Sequence, residues 1–348
     1  MKTTPYLRGG MVQTLYSTLG MVKRDKYSDI SYERETRTMS DGGTISLDWY
    51  TPNSYKDDTR PIAVVMSGVG GSSYEYHIRC LAKSLGKGYR VVVMNHRGMG
   101  RTPLTSPKIY NAHDTGDFGD ILQYIRGKHP RAKLVGVAFS LGANLLTKYL
   151  GEQGSSSLLS AGVAVCCPFD MSLTGRSLDA DTFLNNQVFQ PKLVATIKRF
   201  FVRNSEILQS SPTNYDWEAI MRARRMSEID TLVTARDYGH RDCWEHYHEA
   251  SSSAYVDRIQ RPYLAINSMD DPVTRYEGIP QAKFRRNPHT ALALLKHGGH
   301  IGFFCGLRPK IWFLTPIVEF LDGVLISEKL KSAEALPPHV SLAHFDIL

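Results

Sequence analysis

Two short runs constrain this chain more than anything else in it. Ile62-Ala63-Val64-Val65-Met66 and Val91-Val92-Val93-Met94 are apolar without interruption and rich in β-branched residues. A strand with one wet face alternates polar and apolar side chains. A run with no polar member needs cover on both faces, the condition of a parallel sheet sandwiched between helices. Further strand-like runs lie at Lys133–Ala138, Ala161–Cys167, Pro262–Ser268 and Ala291–Lys296, separated by longer segments of helical character. Arg34–Met39 and Ile45–Tyr50 instead carry charged or polar alternation and suit an antiparallel edge. Together the runs predict an α/β chain with a mostly parallel eight-stranded sheet, antiparallel at its start and covered by helices on both faces.

Between Asp170 and Arg261 the pattern changes: roughly 90 residues carry helical patterns and no convincing strand, far longer than an ordinary connection. We read this stretch as a helical cap inserted into the α/β domain. The expected organisation is a first core part at 1–170, the cap at 171–261, a second core part at 262–326 and a surface extension at 327–348 that contains Pro337-Pro338. The formal charge of +8 is spread over scattered Lys and Arg residues rather than blocks, so no nucleic-acid partner is expected. Five cysteines (Cys80, Cys166, Cys167, Cys243 and Cys305) form an odd set without a C-x-x-C, and the N-terminus shows no signal-peptide core. An intracellular, reducing location is the expectation. No stretch reaches the roughly 18 consecutive apolar residues that would span a bilayer, so any membrane contact is expected to be peripheral, through the cap.

The chemistry is concentrated where strands end. The run Lys133–Ala138 leads into Ala138-Phe139-Ser140-Leu141-Gly142 and then directly into the helical segment that follows it. A serine on such a turn is held in a strained conformation, and large side chains two residues before or after it would collide. The pattern small-x-Ser-x-small meets that steric need, with Ala where Gly is commoner, and it marks Ser140 as a nucleophile rather than a serine in an ordinary turn. The new helix aims its N-terminal amides above Ser140, so the Leu141 N–H can donate to an oxyanion. A second donor is expected from the turn after Ile62–Ser67, in Ser67-Gly68-Val69-Gly70-Gly71, with the Val69 N–H as the candidate. A phosphate cradle does not fit, because neither G-x-G-x-x-G nor G-x-x-x-x-G-K-[ST] aligns there or at Gly98-Met99-Gly100.

A nucleophilic serine needs a base and an acid that orients the base. The loop after Pro262–Ser268 offers Met269-Asp270-Asp271-Pro272-Val273, and we favour Asp271, with Asp270 capping the turn; Asp170 after an earlier strand is the alternative. The loop after Ala291–Lys296 reads His297-Gly298-Gly299-His300, and His300 has the reach to swing over the sheet, while His297 suits a structural hydrogen bond. The order Ser140, Asp271, His300 is the chain order this topology uses.

Two further segments get plain readings. Tyr238–Glu249 is dense in potential metal ligands but lacks H-E-x-x-H and paired C-x-x-C spacing, so it is read as an amphipathic helix at the cap border, with no metal ion or cofactor expected. Lys192–Arg203 sets apolar residues at helical spacing beside basic ones; it is read as a cap helix, with contact to an anionic membrane or an acyl pocket as the alternative.

These residues resemble the embryogenesis-associated, YheT-like branch of the α/β-hydrolases. The resemblance is carried by Gln13-Thr14, Gly68-Val69-Gly70-Gly71-Ser72, Asn95-His96-Arg97-Gly98, Tyr110-Asn111-Ala112-His113-Asp114-Thr115, Ser140-Leu141-Gly142-Ala143-Asn144, Tyr149-Leu150-Gly151-Glu152, Asp270-Asp271-Pro272 and Gly298-Gly299-His300. It spans nearly the whole chain and departs at Met11-Val12, where His-Leu is commoner, and at Ser67, where His often stands. It implies the α/β-hydrolase fold, a triad of Ser140, Asp271 and His300, and a fatty acyl ester or lipid substrate of medium chain. Water or an alcohol would release the acyl group. The acyltransferase signature H-x-x-x-x-D is absent from the chain, which favours water. Mammalian members carry an N-terminal membrane helix for which this chain has no room, so their location is not expected to carry over.

Overall fold

In the computed structural model the described residues are 1–18, 30–51 and 59–334. Eight strands form one sheet: β1 (Glu33–Thr38), β2 (Thr44–Tyr50), β3 (Ile62–Met66), β4 (Arg90–Asn95), β5 (Leu134–Phe139), β6 (Leu159–Val165), β7 (Tyr263–Ser268) and β8 (Thr290–Leu295). Their spatial order is β1-β2-β4-β3-β5-β6-β7-β8. β2 runs antiparallel to both β1 and β4, and every other neighbouring pair is parallel. The eight strands fall within about two residues of the runs expected from hydrophobic pattern. A two-stranded hairpin, β9 (Phe304–Cys305) with β10 (Lys310–Ile311), has no signature in the sequence, because two-residue strands carry no periodicity to read.

The helices are α1 (Gly10–Thr18), α2 (Tyr76–Leu85), α3 (Gly116–Lys128), α4 (Leu141–Gln153), α5 (Met171–Asp179), α6 (Gln190–Arg203), α7 (Ser205–Gln209), α8 (Trp217–Arg222), α9 (Met226–Leu232), α10 (Thr234–Asp237), α11 (Cys243–Ala250), α12 (Gln281–Arg286) and α13 (Leu314–Glu334). Side-chain alternation along the central strands splits the core in two. Val64, Met66, Val92, Leu134 and Ala138 pack with α3 and α4 residues such as Phe118, Ile121 and Leu146. Ala63, Val65, Val91, Val93, Val135 and Val137 pack with Ile78 and Leu81 of α2 and Ile317 and Leu321 of α13. Each central strand therefore buries both faces, which is why it could dispense with polar residues.

From Met171 to Arg258 the chain is helical and irregular, without a strand. Val194, Phe200 and Phe201 of α6, Ile220 of α8 and Ile229 of α9 form a separate apolar cluster with Leu104 and Ile109 from the segment after β4. Helix α13 continues through Ile326 to Glu334, so the extension expected from 327 onward begins as the end of a core helix. Residues 335–348, including Pro337-Pro338, lie outside the described residues. No helix among the described residues is long and apolar enough to cross a membrane.

The Asn-His-Arg-Gly element braces this frame. The Asn95 amide donates to Asp48 at 2.8 Å and its carbonyl oxygen accepts the Ser73 N–H at 3.0 Å. Buried Asp48 takes both arms of the Arg34 fork at 2.7 Å, which overcomes the upward push of burial and holds its carboxyl below the usual range. His96 stacks on Tyr110, and buried Arg97 pairs with Asp117 and Asp41. The segment that follows β3 is thus tied to the antiparallel edge of the sheet.

Among the described residues three histidines are buried without charge. Burial pushes His77 down to about 3, with His300 adding to the effect, and takes His96 to about 4; His246 falls to about 4 through burial and its neighbours His240, His113 and Lys148. A lowered folded-state value means the unfolded chain binds protons first as pH falls. Their contribution is intact above about pH 6.5 and is lost progressively toward pH 4, at up to about 1.4 kcal/mol per pH unit for each histidine. Thermal unfolding should show a Tm that declines steadily from pH 6.5 to 4.5; a flat Tm over that interval would contradict this account.

Candidate active site

Strand β3 sends the chain to β4 on one side, while β5 lies on the other, so the sequence reverses direction across the sheet at β3. Open α/β sheets have a crevice outside the carboxyl ends of the strands at such a point. The loops after β3 and β5 meet there, and they carry Val69 and Ser140.

Ser140 joins β5 to α4 with φ 51° and ψ −121°, a backbone region that an L side chain rarely occupies. Its neighbours make that turn possible. A Cβ on Gly142 would stand 2.5 Å from the carbonyl oxygen of Ser67, and one on Gly68 would stand 3.0 Å from the Ser140 Cβ. The two loops therefore touch through glycine, and the small residue required after the serine is required by the neighbouring strand's loop. Leu141 is the first residue of α4, so its N–H has no partner within the helix. Val69 follows Gly68 on the facing loop and is 38 % exposed.

His300 lies past β8. Its Nε2 is 2.9 Å from Ser140 Oγ and its Nδ1 is 2.9 Å from Asp271 Oδ2. The carboxylate can only accept, so Nδ1 carries the ring proton and Nε2 presents its lone pair to the serine hydroxyl. Asp271 is buried, and its other contacts fix it: the Val273 and Thr274 N–H groups donate to Oδ1 at 2.8 and 2.9 Å, and the Thr274 hydroxyl donates to Oδ2 at 2.6 Å. Burial would raise its pKa, but the charge and hydrogen bond of His300 and the bonds from Thr274 outweigh it and hold the carboxyl below the usual range. Asp270 faces away and accepts the Gly298 and Gly299 N–H groups and His297 Nδ1, all within 2.9 to 3.0 Å. Asp170, the other candidate acid, accepts the Leu173 N–H at the start of α5.

Ser140, His300 and Asp271 are thus brought into one hydrogen-bonded line, with Val69 on the facing loop and Leu141 at the start of α4. His297 and Asp270 hold the backbone of the loop that carries His300.

The structure also gives work to residues whose role the sequence did not reveal. The Thr14 hydroxyl accepts the His300 N–H at 2.8 Å and donates to the Gly10 carbonyl at 2.7 Å, and Gln13 Oε1 accepts the Phe304 N–H at 2.7 Å. Gly10 packs so closely on Asp270 that a Cβ there would lie 1.9 Å from the Asp270 carbonyl oxygen. Helix α1 is the brace for the loops that carry His300 and Asp271. Nothing local in the sequence connects Gln13-Thr14 to a histidine 286 positions away. Thr274 had a local signal, a hydroxyl three residues after Asp271. Asn144, one turn into α4, donates to the carbonyls of Ala112 and Ala250 at 3.1 and 2.9 Å and accepts the Ser252 N–H at 3.0 Å. It pins the helical segment's return to the helix that follows Ser140.

The ligand-dense segment Tyr238–Glu249 holds most of α11, which buries Cys243, His246, Tyr247 and Ala250 and exposes Glu245, His248 and Glu249. His240 Nδ1 and His246 Nδ1 face each other at 3.2 Å, so one donates to the other. Helix α6 lies across the crevice, with Thr196 against Gly70 and Phe200 over Gly98.

Comparison with known proteins gives a consistent picture. Residues 62–307 match the model of the alpha/beta hydrolase fold family. The chain is 27 % identical to the embryogenesis-associated protein EMB8 of Picea glauca, over 91 % of this chain and 71 % of that protein. It is 30 % identical to medium-chain fatty acid ethyl ester synthase/esterase 2 of Saccharomyces cerevisiae, over 92 % of this chain and 84 % of that one. It is also 30 % identical to the human phospholipase ABHD3, over 81 % and 69 % respectively. Among solved structures, an esterase of Pyrococcus furiosus covers 86 % of this chain and 95 % of its own with a TM-score of 0.53 at 17 % identity, a likeness of fold alone.

Proposed function

The chain belongs to the α/β-hydrolase fold family, in its embryogenesis-associated branch, and from that premise we propose that it is a serine ester hydrolase acting on medium-chain fatty acyl esters, in glycerolipid or simple ester form. The observation that carries this reading is the line Ser140 Oγ, His300 Nε2, His300 Nδ1, Asp271 Oδ2, with both links at 2.9 Å and the serine strained at a helix N-terminus. The names of the yeast ethyl ester synthase/esterase and the human phospholipase support the substrate class.

In this reading His300 Nε2 takes the hydroxyl proton as Ser140 Oγ attacks the ester carbonyl. The Val69 and Leu141 N–H groups receive the developing oxyanion, and Asp271 stabilises the imidazolium without taking its proton. The imidazolium then protonates the departing alkoxide, leaving an acyl group on Ser140. Water repeats the sequence: His300 takes its proton, hydroxide adds to the acyl carbonyl, and the serine is regenerated with release of the fatty acid. An alcohol in place of water would give ester synthesis with the same residues, a second reading favoured by the yeast relative's name.

The segment 171–261 acts as the cap over this crevice, and its exposed Phe183 and Val202, together with exposed Lys192, Arg199 and Arg203 of α6, supply apolar and basic groups for peripheral contact with a lipid surface. The test is hydrolysis of p-nitrophenyl esters from acetyl to palmitoyl, with Ser140→Ala as the blank. A Ser140-dependent maximum at medium chain length is expected. Rates at the blank across the series, together with no labelling of Ser140 by a fluorophosphonate, would reduce the molecule to a non-catalytic lipid- or protein-binding scaffold. Ester formation from acyl-CoA and alcohol outrunning hydrolysis would make it an acyltransferase.

A further inference from the structure

One side chain at the site has no part in acyl transfer. Cys166 follows β6 directly, is fully buried and holds a positive φ of 54° although it is not glycine. The Ile301 N–H donates to its sulfur at 3.1 Å, and the sulfur lies 3.7 Å from the Gly299 carbonyl oxygen, so it sits against the loop that carries His300. It also reaches the acid: Cys166 Sγ, an Asp271 carboxylate oxygen and a His300 ring nitrogen all lie within 4.8 Å of one another. Burial and the Asp271 charge push the thiol's pKa up, so it is a protonated thiol at rest.

A thiol, an imidazole and a carboxylate converging on one point are the donor set of a thiophilic divalent cation. We propose that Cys166, Asp271 and His300 form an inhibitory binding site for Zn²⁺ or Cd²⁺. Zinc bonds of about 2.0 to 2.3 Å at tetrahedral angles would set these donors roughly 3.3 to 3.6 Å apart. In this cluster the 2.9 Å contact between His300 and Asp271 would have to widen, and the Cys166 sulfur stands within 4.8 Å of the other two donors.

Protons and charge balance. The cation takes the lone pair of Nδ1, the ring proton passes from Nδ1 to Nε2, and the thiol proton leaves to solvent. A +2 ion between a thiolate and a carboxylate leaves no net charge in the buried site, so the low dielectric does not oppose it. Nε2 then carries a proton and cannot accept one from Ser140. The inhibition rests on the acyl-transfer reading above; the binding site does not.

Cadmium separates the two. Titration of the full chain should raise the ultraviolet charge-transfer absorption of a cadmium thiolate and, at the same concentrations, slow fluorophosphonate labelling of Ser140 at least tenfold, with EDTA reversing both. Cys166→Ser keeps size and hydrogen bonding but removes the soft ligand. It should need at least about tenfold more cadmium for either effect, each compared with its own metal-free rate, whereas Cys305→Ser at the least buried thiol should behave as the parent. Should Cys166→Ser fail to fold, cadmium NMR of the parent, whose shift reports the ligand atoms, is expected to show one sulfur with nitrogen and oxygen. A band unaltered in Cys166→Ser, a shift reporting several sulfurs, or full-rate labelling of cadmium-saturated protein overturns the proposal. If metal-free protein does not label at all, the acyl-transfer reading fails, and the absorption band still decides the site.

Discussion

Replacing Ser140 with alanine is expected to reduce ester hydrolysis by about 10⁴- to 10⁶-fold, a loss of roughly 5 to 8 kcal/mol of transition-state stabilisation. The loss is that large because a covalent step disappears: no other oxygen of the chain stands 2.9 Å from His300 Nε2 among the described hydrogen bonds, and water would have to replace a nucleophile held in place. The residual rate is what the proposed Val69 and Leu141 donors and substrate binding are expected to supply by themselves. Stability should move in the other direction with a second substitution. Ser140 holds φ 51° against the preference of any side chain, so Ser140→Gly releases roughly 1 kcal/mol or more of strain and should raise Tm while abolishing activity. Steady-state rates on a p-nitrophenyl ester and thermal unfolding of the two variants check both claims. More than about one per cent residual activity in Ser140→Ala would dismiss Ser140 as the nucleophile.

Asp271→Asn should cost about 10⁴-fold in kcat, while Asp270→Asn should stay within about tenfold of the parent, although the two residues are adjacent. An amide at 271 can donate as well as accept. It would let His300 adopt the tautomer with its proton on Nε2, removing the lone pair that faces Ser140, and would withdraw the charge that stabilises the imidazolium. Asn at 270 can still accept the Gly298 and Gly299 N–H groups through its carbonyl oxygen, so the loop keeps its shape and only the His297 contact changes character. Measuring kcat and Tm together distinguishes the roles, since Asp270→Ala, which gives up both backbone bonds, should destabilise the loop by roughly 1 to 3 kcal/mol and lower Tm accordingly. A larger fall in kcat for Asp270→Asn than for Asp271→Asn would reverse the assignment of the acid. The lowered Asp271 carboxyl adds an acid-side signature: its contribution to stability is present above about pH 4 and is lost as pH falls through its depressed folded value.

The neighbouring acids show where sequence reading reaches its limit. Both lie on the loop after β7 and both could in principle face an imidazole. The turn completed by Val273 and Thr274, whose N–H groups close on Asp271 Oδ1, directs one toward His300 and the other toward His297. The histidine loop is similar. Glycines mark it as a loop with reach, but its course is held by α1, whose Thr14 hydroxyl meets the His300 N–H across nearly the whole length of the chain.

What the sequence determined by itself is what obeys local rules. Uninterrupted apolar runs fix which segments are strands and that they must be covered on both faces. The small residues beside Ser140 fix a strand, turn and helix there, since sterics over five residues leave little else. Glycine and adjacent acids past strand ends mark the loops that can carry a base and an acid. Only the tertiary structure decided the order of strands, the reversal at β3 that opens the crevice, the meeting of Gly68 with Ser140, the bracing by α1, and the presence of a buried thiol beside Asp271. Those features join residues tens to hundreds of positions apart. They arise from burying two faces of one sheet at once, a condition that belongs to the whole chain and to no window of it.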